Sequence, residues 1–588
     1  MMWPRSSARK GCRMLYGINR YNQYIKLRLT INSMKPSYLP SLFCTLFFVQ
    51  SISLAQGKTS DHGNDWPLYH HSPEAWRHSP LKQINAANVS KLKVAWTHTP
   101  IDSSNGLLAT PIVVSGVVYY SDSRNNVYAL DGVSGKEIWR YQPKLDGSHK
   151  RGWYGPGSRG VTVGHGKVFL GTLDGRFIAL DQSTGKELWS TQLIDQKKDF
   201  YALFQSPPQL AGNVVIGGST GGDQPRQGKI YAVDADSGKL AWSFNTIKDD
   251  PASWPGESGK YGGGGAWMPG VYDASTGTFF IGTSNPAPDY FPQKRKGDNL
   301  YTSSVIALDV NSGKIKWHRQ VVPQDAWDYD ATGELLTVKH QDRDAIIHFN
   351  KGGFVYVIDK QSGSLVNIWK LNDHINWVKS INTQSGELIG RVDPELGKKS
   401  TFCPGVHGGR TWAHGAYNPD VKIWVTSTVE ICTEVVSYDA DPKRIPPEGL
   451  YYGVSSVKNV NTPDGSAYGK LIAADPVSGK LRWSLKLSIP SWSSVLSTAG
   501  GLVFHGDVAG NFFAYDVESG NVLWKHSGDL GVRGGPVTYA SAEQQFILIP
   551  TGMGYLKNEQ SFDFMSGLFP DIRRLKKGGQ LVAFKLAE

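Results

Sequence analysis

The stretch ALDVNSGKIKW (307–317) recurs six more times along the chain with small changes. It appears as ALDGVSGKEIW (129–139), ALDQSTGKELW (179–189), AVDADSGKLAW (232–242), VIDKQSGSLVNIW (357–369), AADPVSGKLRW (473–483) and AYDVESGNVLW (514–524). Each copy opens on a short apolar run, turns through Asp-x-x-Ser/Thr-Gly, and climbs a second run to a tryptophan. Alternating apolar residues on either side of a glycine turn are the pattern of a β-hairpin. The glycine takes the left-handed position, and the Asp or Ser side chain bonds the turn's own backbone. A tryptophan at a fixed place in every copy is a large plug suited to the space between neighbouring sheets.

Most of these tryptophans follow one another at 41 to 75 residues, enough for a four-stranded sheet per copy. An eighth unit is divided between the two ends of the repeat region. NVSKLKVAW (88–96) carries a final Trp strand, and GGQLVAFKL (578–586) carries the preceding strand without its Trp. Pairing the two would hide both free sheet edges. The expected fold is therefore all-β: an eight-bladed β-propeller over 56–588, its ring closed by N- and C-terminal strands. The 114 residues between Trp369 and Trp483 leave room for a long insertion in one blade.

The net charge of +11 does not point to nucleic acid. Eight of the cations lie in residues 1–55, which contain no Asp or Glu, and no basic cluster follows. Within that segment MKPSYLPSLFCTLFFVQSISLAQG (34–57) has a basic start, an apolar run and small residues before Gln56. It reads as a secretory signal starting at Met34 and cleaved after Ala55, the competing reading being a retained anchor. Its apolar run is short for a transmembrane span, so no stable membrane span is expected. Cys12 and Cys44 would leave with it. The remaining pair, Cys403 and Cys432, suggests one disulfide across 29 positions in an exported protein. No Cys-x-x-Cys-His occurs, and CPGVH (403–407) does not have haem-attachment spacing.

The Trp-ended repeat, DWPLYHHSPEAWRHSPLKQINAANVSKLKVAW (65–96), GDNLYTSSVIALDVNSGKIKW (297–317) and LSTAGGLVFHGDVAGNFFAYDVESGNVLW (496–524) together resemble the pyrroloquinoline quinone (PQQ)-dependent alcohol dehydrogenases. The likeness runs from about Asp65 to Leu586, and the cysteine separation resembles that of a disulfide in the family. It implies a site on the propeller axis holding PQQ and a Ca2+ or lanthanide ion. Carried over residue by residue, it places Asp223 of GGSTGGDQPRQG and Asn285 of GTSNPAP on the metal. Thr220, Gly221 and Gly222 would lie against the quinone carboxylates, Arg159 of PGSRG would bind one of them, and Trp267 of GGGGAWMPGVYD would stack beneath the ring. Trp492 of IPSWSSVLSTAGG matches an aromatic near the ring, and Lys351 of FNKGGFVYVID a cation against the reactive oxygens.

QDAWDYDATGE (324–334) gains its meaning from that likeness. Asp328 aligns with the family's general base, and Asp330 with an extra carboxylate that some members place on a lanthanide. In a strand-like segment the two would point to one side, where oxygen ligands suit a hard cation. Asp328 would take the alcohol proton while hydride leaves the carbinol carbon for the quinone, with Lys351 stabilising the charge that develops. Several positions depart from the family. The adjacent cysteines expected before Arg159 are replaced within RGWYGPGSRG, and Leu108, Phe204 and Thr411 stand for a glutamate, a threonine and an asparagine.

The expected function is periplasmic oxidation of an alcohol, polyol or sugar. Electrons would pass to an external acceptor, a cytochrome c or a quinone. A non-catalytic envelope scaffold and a glucose-dehydrogenase-like quinoprotein are the competing readings. A scaffold has no need of Asp223, Asn285, Asp328 and Lys351 together.

Overall fold

In the computed structural model, described for residues 62–147, 157–199, 202–410, 412–446, 449–553 and 566–587, each repeat becomes the outer part of a four-stranded antiparallel meander. The fold is an all-β propeller. One sheet is built from Val271–Asp273, Thr278–Gly282, Ser304–Asp309 and Ile315–Gln320, paired in sequence order. Equivalent meanders occupy 112–141, 162–192, 209–245, 336–370 and 496–527, the last extended by the parallel strand His78–Ser79. The proposed signal, with Met34, Cys12 and Cys44, lies outside the described residues.

The inner strands are apolar on both faces because each lies between neighbouring sheets, as in Phe280 and Val305. The outermost strands alternate with solvent, as in Ile315–Gln320. The repeat tryptophan ties one sheet to the next. Trp242 Nε1 donates to Val310 O at 2.9 Å, and Trp96 to Gly132 O at 3.1 Å. The same bond joins Trp369 to Pro476 O at 3.1 Å, bypassing the insertion, and Trp483 to Val517 O at 3.0 Å. The indole lies flat against the turn glycine of the receiving repeat. At Gly313, with φ +66°, an added Cβ would stand 2.5 Å from the Trp242 ring. Gly313→Ala therefore meets both the left-handed backbone and the indole, and should cost about 1–3 kcal/mol. A denaturant midpoint shifted by less than its error would show that the Trp242 contact is dispensable.

The two ends of the described region meet. Leu92–His98 pairs antiparallel with Leu581–Leu586, Trp96 opposite Ala583, in a sheet completed by Val537–Ser541 and Gln544–Pro550. Tyr539 of that sheet donates its hydroxyl to Gly132 O at 2.6 Å, and Trp524 stacks edge-on to Phe584 at 5.2 Å.

The insertion is folded. Ala416–Asn418, Ile423–Glu430, Tyr468–Ala474 and Leu481–Leu487 complete a regular meander. Between its strands, Cys432–Ser437 and Val454–Val460 leave the sheet and pair with Lys399–Phe402 in a separate three-stranded sheet. The disulfide Cys403–Cys432 pins the base of this excursion, Cα–Cα 4.5 Å. Loop entropy alone credits such a link with about 3–4 kcal/mol. No helix among the described residues is long and apolar enough to cross a membrane.

Candidate active site

The stretch 324–330 is not a strand, so the alternation expected for it does not apply. Asp325 turns the chain instead: its carboxylate accepts from Trp327 N at 2.9 Å, Tyr329 N at 2.6 Å and Ser303 Oγ at 3.1 Å. The turn leaves Asp328 at φ +63°, a left-handed conformation that Asp adopts more readily than most non-glycine residues. Asp328 and Asp330 still reach one point. Lys351 Nζ lies 2.8 Å from Asp328 Oδ1 and 3.0 Å from Asp330 Oδ2. Asn350, beside that lysine, donates Nδ2 to Tyr329 O at 2.9 Å and Asp330 O at 3.0 Å, locking the two segments together. The three aspartates of the motif thus divide into one that builds the turn and two that face the lysine.

Asp330 Oδ1 accepts from Asn285 N at 3.2 Å and Trp267 Nε1 at 3.4 Å. Trp267 is half-buried, and the Arg159 guanidinium lies over its ring at 4.8 Å and over that of Trp412 at 5.0 Å. Thr220 to Asp223 form the adjoining wall. Arg226 holds it by donating to Thr220 O and to Ser219 Oγ while paired with Asp199 at 2.7 Å. Gly222 must be glycine here, since a Cβ would lie 2.6 Å from Asn285 Oδ1. Trp492 is buried, its ring 5.6 Å from that of His407. Gly408 packs on the Lys351 stem, and Gly409 N donates to Lys351 O at 2.7 Å, so the insertion supplies one wall.

Three carboxylates converge beside this lysine. One oxygen from each of Asp223, Asp289 and Asp328 lies within 4.8 Å of the others. Burial pushes the Asp289 carboxyl well above its usual range, with Asp223 and Asp328 adding repulsion and Arg295 opposing. Burial likewise raises Asp328; Lys351 opposes, while Asp223 and Asp330 add to the rise. Burial works against the Lys351 charge, but Asp328 and Asp330 more than offset it and hold the ammonium above its ordinary range. Asn285 is 1% exposed, and neither Oδ1 nor Nδ2 has a hydrogen-bond partner. Buried carboxylates at this separation, next to an orphaned amide, fit a hard cation bound by oxygen ligands.

The match to known proteins agrees with this chemistry. The family described as "PQQ: Glucose/ethanol/alcohol dehydrogenase, beta-propeller domain" matches residues 66–374 and 364–547. The chain belongs to the PQQ-dependent alcohol dehydrogenase family. It is 33% identical to the quinohemoprotein alcohol dehydrogenase ADH IIB of Pseudomonas putida, over 84% of this chain and 74% of that one. It is 31% identical to the quinoprotein ethanol dehydrogenase of Pseudomonas aeruginosa, over 93% and 96%. A europium-containing methanol dehydrogenase superposes with a TM-score of 0.82 at 28% identity, covering 89% of this chain and 98% of that structure. As a family member the chain is an oxidoreductase that uses PQQ with a Ca2+ or lanthanide ion.

The positions that depart from the family have structural explanations where they are described. Leu108 packs with Tyr69, Met268 and Trp412 against Trp267. Phe204 is part of the packing between sheets, 4.5 Å from Phe177 and 5.8 Å from Tyr231. Thr411, and residues 151–156 of the stretch lacking the paired cysteines, lie outside the described residues. Two site residues escaped the sequence reading. Asp289 stands four positions after Asn285 in NPAPDY, where a carboxylate so near an amide ligand was a usable signal. His407 belongs to CPGVHGG, a stretch whose sequence carries no signal beyond its lack of haem-attachment spacing. Its imidazole is brought to about 3 by burial, then by Lys351 and Arg533, and so stays neutral beside the lysine.

Proposed function

We propose that this protein is an exported, periplasmic quinoprotein that oxidises a small alcohol or polyol and passes the electrons to a separate cytochrome c or quinone. The observation that carries it is the Lys351 ammonium held between Asp328 and Asp330 at the edge of a carboxylate group. Bound PQQ and its cation supply the two-electron acceptor and the Lewis acid. The chain's own residues do the rest. Asp223, Asn285 and Asp328 would hold the cation, with Asp330 alongside. Trp267 and Trp492 would bound the quinone, Arg159 would take a carboxylate of it, and the backbone of Thr220, Gly221 and Gly222 would lie against the others.

Asp328 is the base. Its Oδ1 bonds the lysine, and the cation keeps it ionised despite burial. It takes the hydroxyl proton of the alcohol as the carbinol carbon gives up its hydrogen with two electrons. Lys351 steadies the negative charge that develops on the acceptor side.

The repeat tryptophans support an eight-bladed closed ring, because each described bond leads to the next sheet and the terminal strands share one. The Cys403–Cys432 disulfide supports an oxidising compartment. The test is dye reduction by the purified protein with PQQ and either Ca2+ or La3+, against methanol, ethanol, a diol and glucose. We expect alcohol-dependent reduction only when both quinone and ion are present. Reduction that ignores PQQ, or none with any substrate, would sink the reading.

A further inference from the structure

The carboxylate set includes one member that no part of the catalytic assignment uses. Asp289 is fully buried, and neither of its carboxylate oxygens has a hydrogen-bond partner. A buried carboxyl without a hydrogen-bond partner is costly in either protonation state, and a cation bound there would relieve that cost. Its backbone is firmly placed. Arg295 donates Nε to Pro288 O and Nη2 to Asp289 O, both at 3.0 Å, and also to Asp325 O. One guanidinium therefore fixes the turn bearing Asp289 to the turn bearing Asp328. The side chain faces not this cation but Asp223 and Asp328, whose oxygens lie within 4.8 Å of its own.

Two oxygens on opposite sides of a calcium or lanthanide ion stand at most about 5 Å apart, so all three carboxylates can share one ion. An independent feature points to the same place. Asn285 is buried, with its amide oxygen and nitrogen unpartnered, and the oxygen faces Gly222, the residue before Asp223. Asp223 has a short side chain, half-buried at the end of its turn. An oxygen of Asp289 lies within 4.8 Å of one of Asp223, so the two could share the anionic contact that Asp223 alone would otherwise provide. Asp330 stands outside this group of three, its oxygens facing Lys351, Asn285 and Trp267.

We propose that Asp289 is a direct ligand of the active-site cation, making with Asp223 and Asp328 a three-carboxylate site that selects a trivalent lanthanide over calcium. This rests on the quinoprotein reading of the site. Three negative charges balance a trivalent ion, whereas with calcium one remains uncompensated in a buried place.

The test uses terbium, a luminescent lanthanide, with the purified chain, with and without PQQ. Trp267 stands close enough to sensitise the emission. Asp289→Asn should weaken Tb3+ binding by about tenfold or more and lower the Tb3+/Ca2+ affinity ratio. Lifetimes in H2O and D2O should report about one additional water on the ion. Fold is checked in the same samples. Without metal the variant should melt higher than the parent, because a repelling carboxylate is gone, and should gain less on adding Tb3+. Unchanged affinity and hydration in Asp289→Asn, while Asp223→Asn still weakens binding, would overturn the role of Asp289 and leave the quinoprotein reading standing. A parent protein that binds no Tb3+ even with PQQ would overturn both.

Discussion

Asp328→Asn should lower alcohol-dependent dye reduction by about 10³-fold in kcat, with little change in KM. The substitution keeps the size of the side chain and an oxygen that can still face the cation, but removes the lone pair that takes the alcohol proton. Lys351 would keep one partner, Asp330 Oδ2 at 3.0 Å, so the lysine is not set adrift. That distinguishes the loss of a base from collapse of the site. Terbium binding should fall about as far as in the other Asp→Asn variants of the site, while turnover should almost vanish even with the ion at saturation. Retention of activity within tenfold would remove Asp328 from the role of base. The other carboxylate on the same lysine would then be the group to test.

A second large effect concerns acid. His70, His348, His407 and His505 are each brought to about 3 chiefly by burial, and His414 is pushed well below the ordinary histidine range by the same cause. The rings of His70 and His414 stack at 4.5 Å, and no hydrogen-bond partner reaches their nitrogens. In the unfolded chain these imidazoles protonate near pH 6.5; in the folded chain they do not. Their depressed values mean that stability is complete above pH 6.5 and is lost as the pH falls from there toward 3. At pH 5 each costs about 2 kcal/mol, against a typical domain stability of about 5–15 kcal/mol. Buried carboxylates with raised values, such as Asp325, act in the opposite sense over part of that range. The contribution of one imidazole is therefore read by difference. His348→Gln keeps a polar group where Nδ1 meets Glu334 O at 3.1 Å, and it cannot titrate. Its loss of stability between pH 7.5 and pH 5.0 should be about 2 kcal/mol smaller than that of the parent. Parallel stability curves for the two proteins would show that the ring is not held neutral.

The sequence by itself determined the sheet content and the inter-sheet tryptophans. Both are written in a local pattern: two apolar runs about a glycine turn, ending in an indole, recur wherever a hairpin is needed. It also reached the pairing of 92–98 with 581–586, since a repeat cut in two leaves a strand at each end with one matching partner. The disulfide was legible as the pair left over once Cys12 and Cys44, in the expected leader, were set aside. Most of the candidate site residues came from motif likeness; that Lys351 Nζ stands 2.8 Å from Asp328 Oδ1 came only from the structure.

What the sequence could not convey is how the site's carboxylates are shared out. The turn at Asp325 bends Asp328 into the left-handed region, so its direction does not follow from alternation along a strand. Asp330 faces a lysine, an amide nitrogen and an indole, a distribution that depends on loops of neighbouring sheets. Asp289 becomes relevant only because Arg295 ties its turn to the one carrying Asp328. His407 arrives from an insertion folded back over Lys351. Hairpins are decided by neighbours a few residues apart. The charge of a binding site is decided by groups dozens to hundreds of residues apart, whose approach only the packed sheets impose.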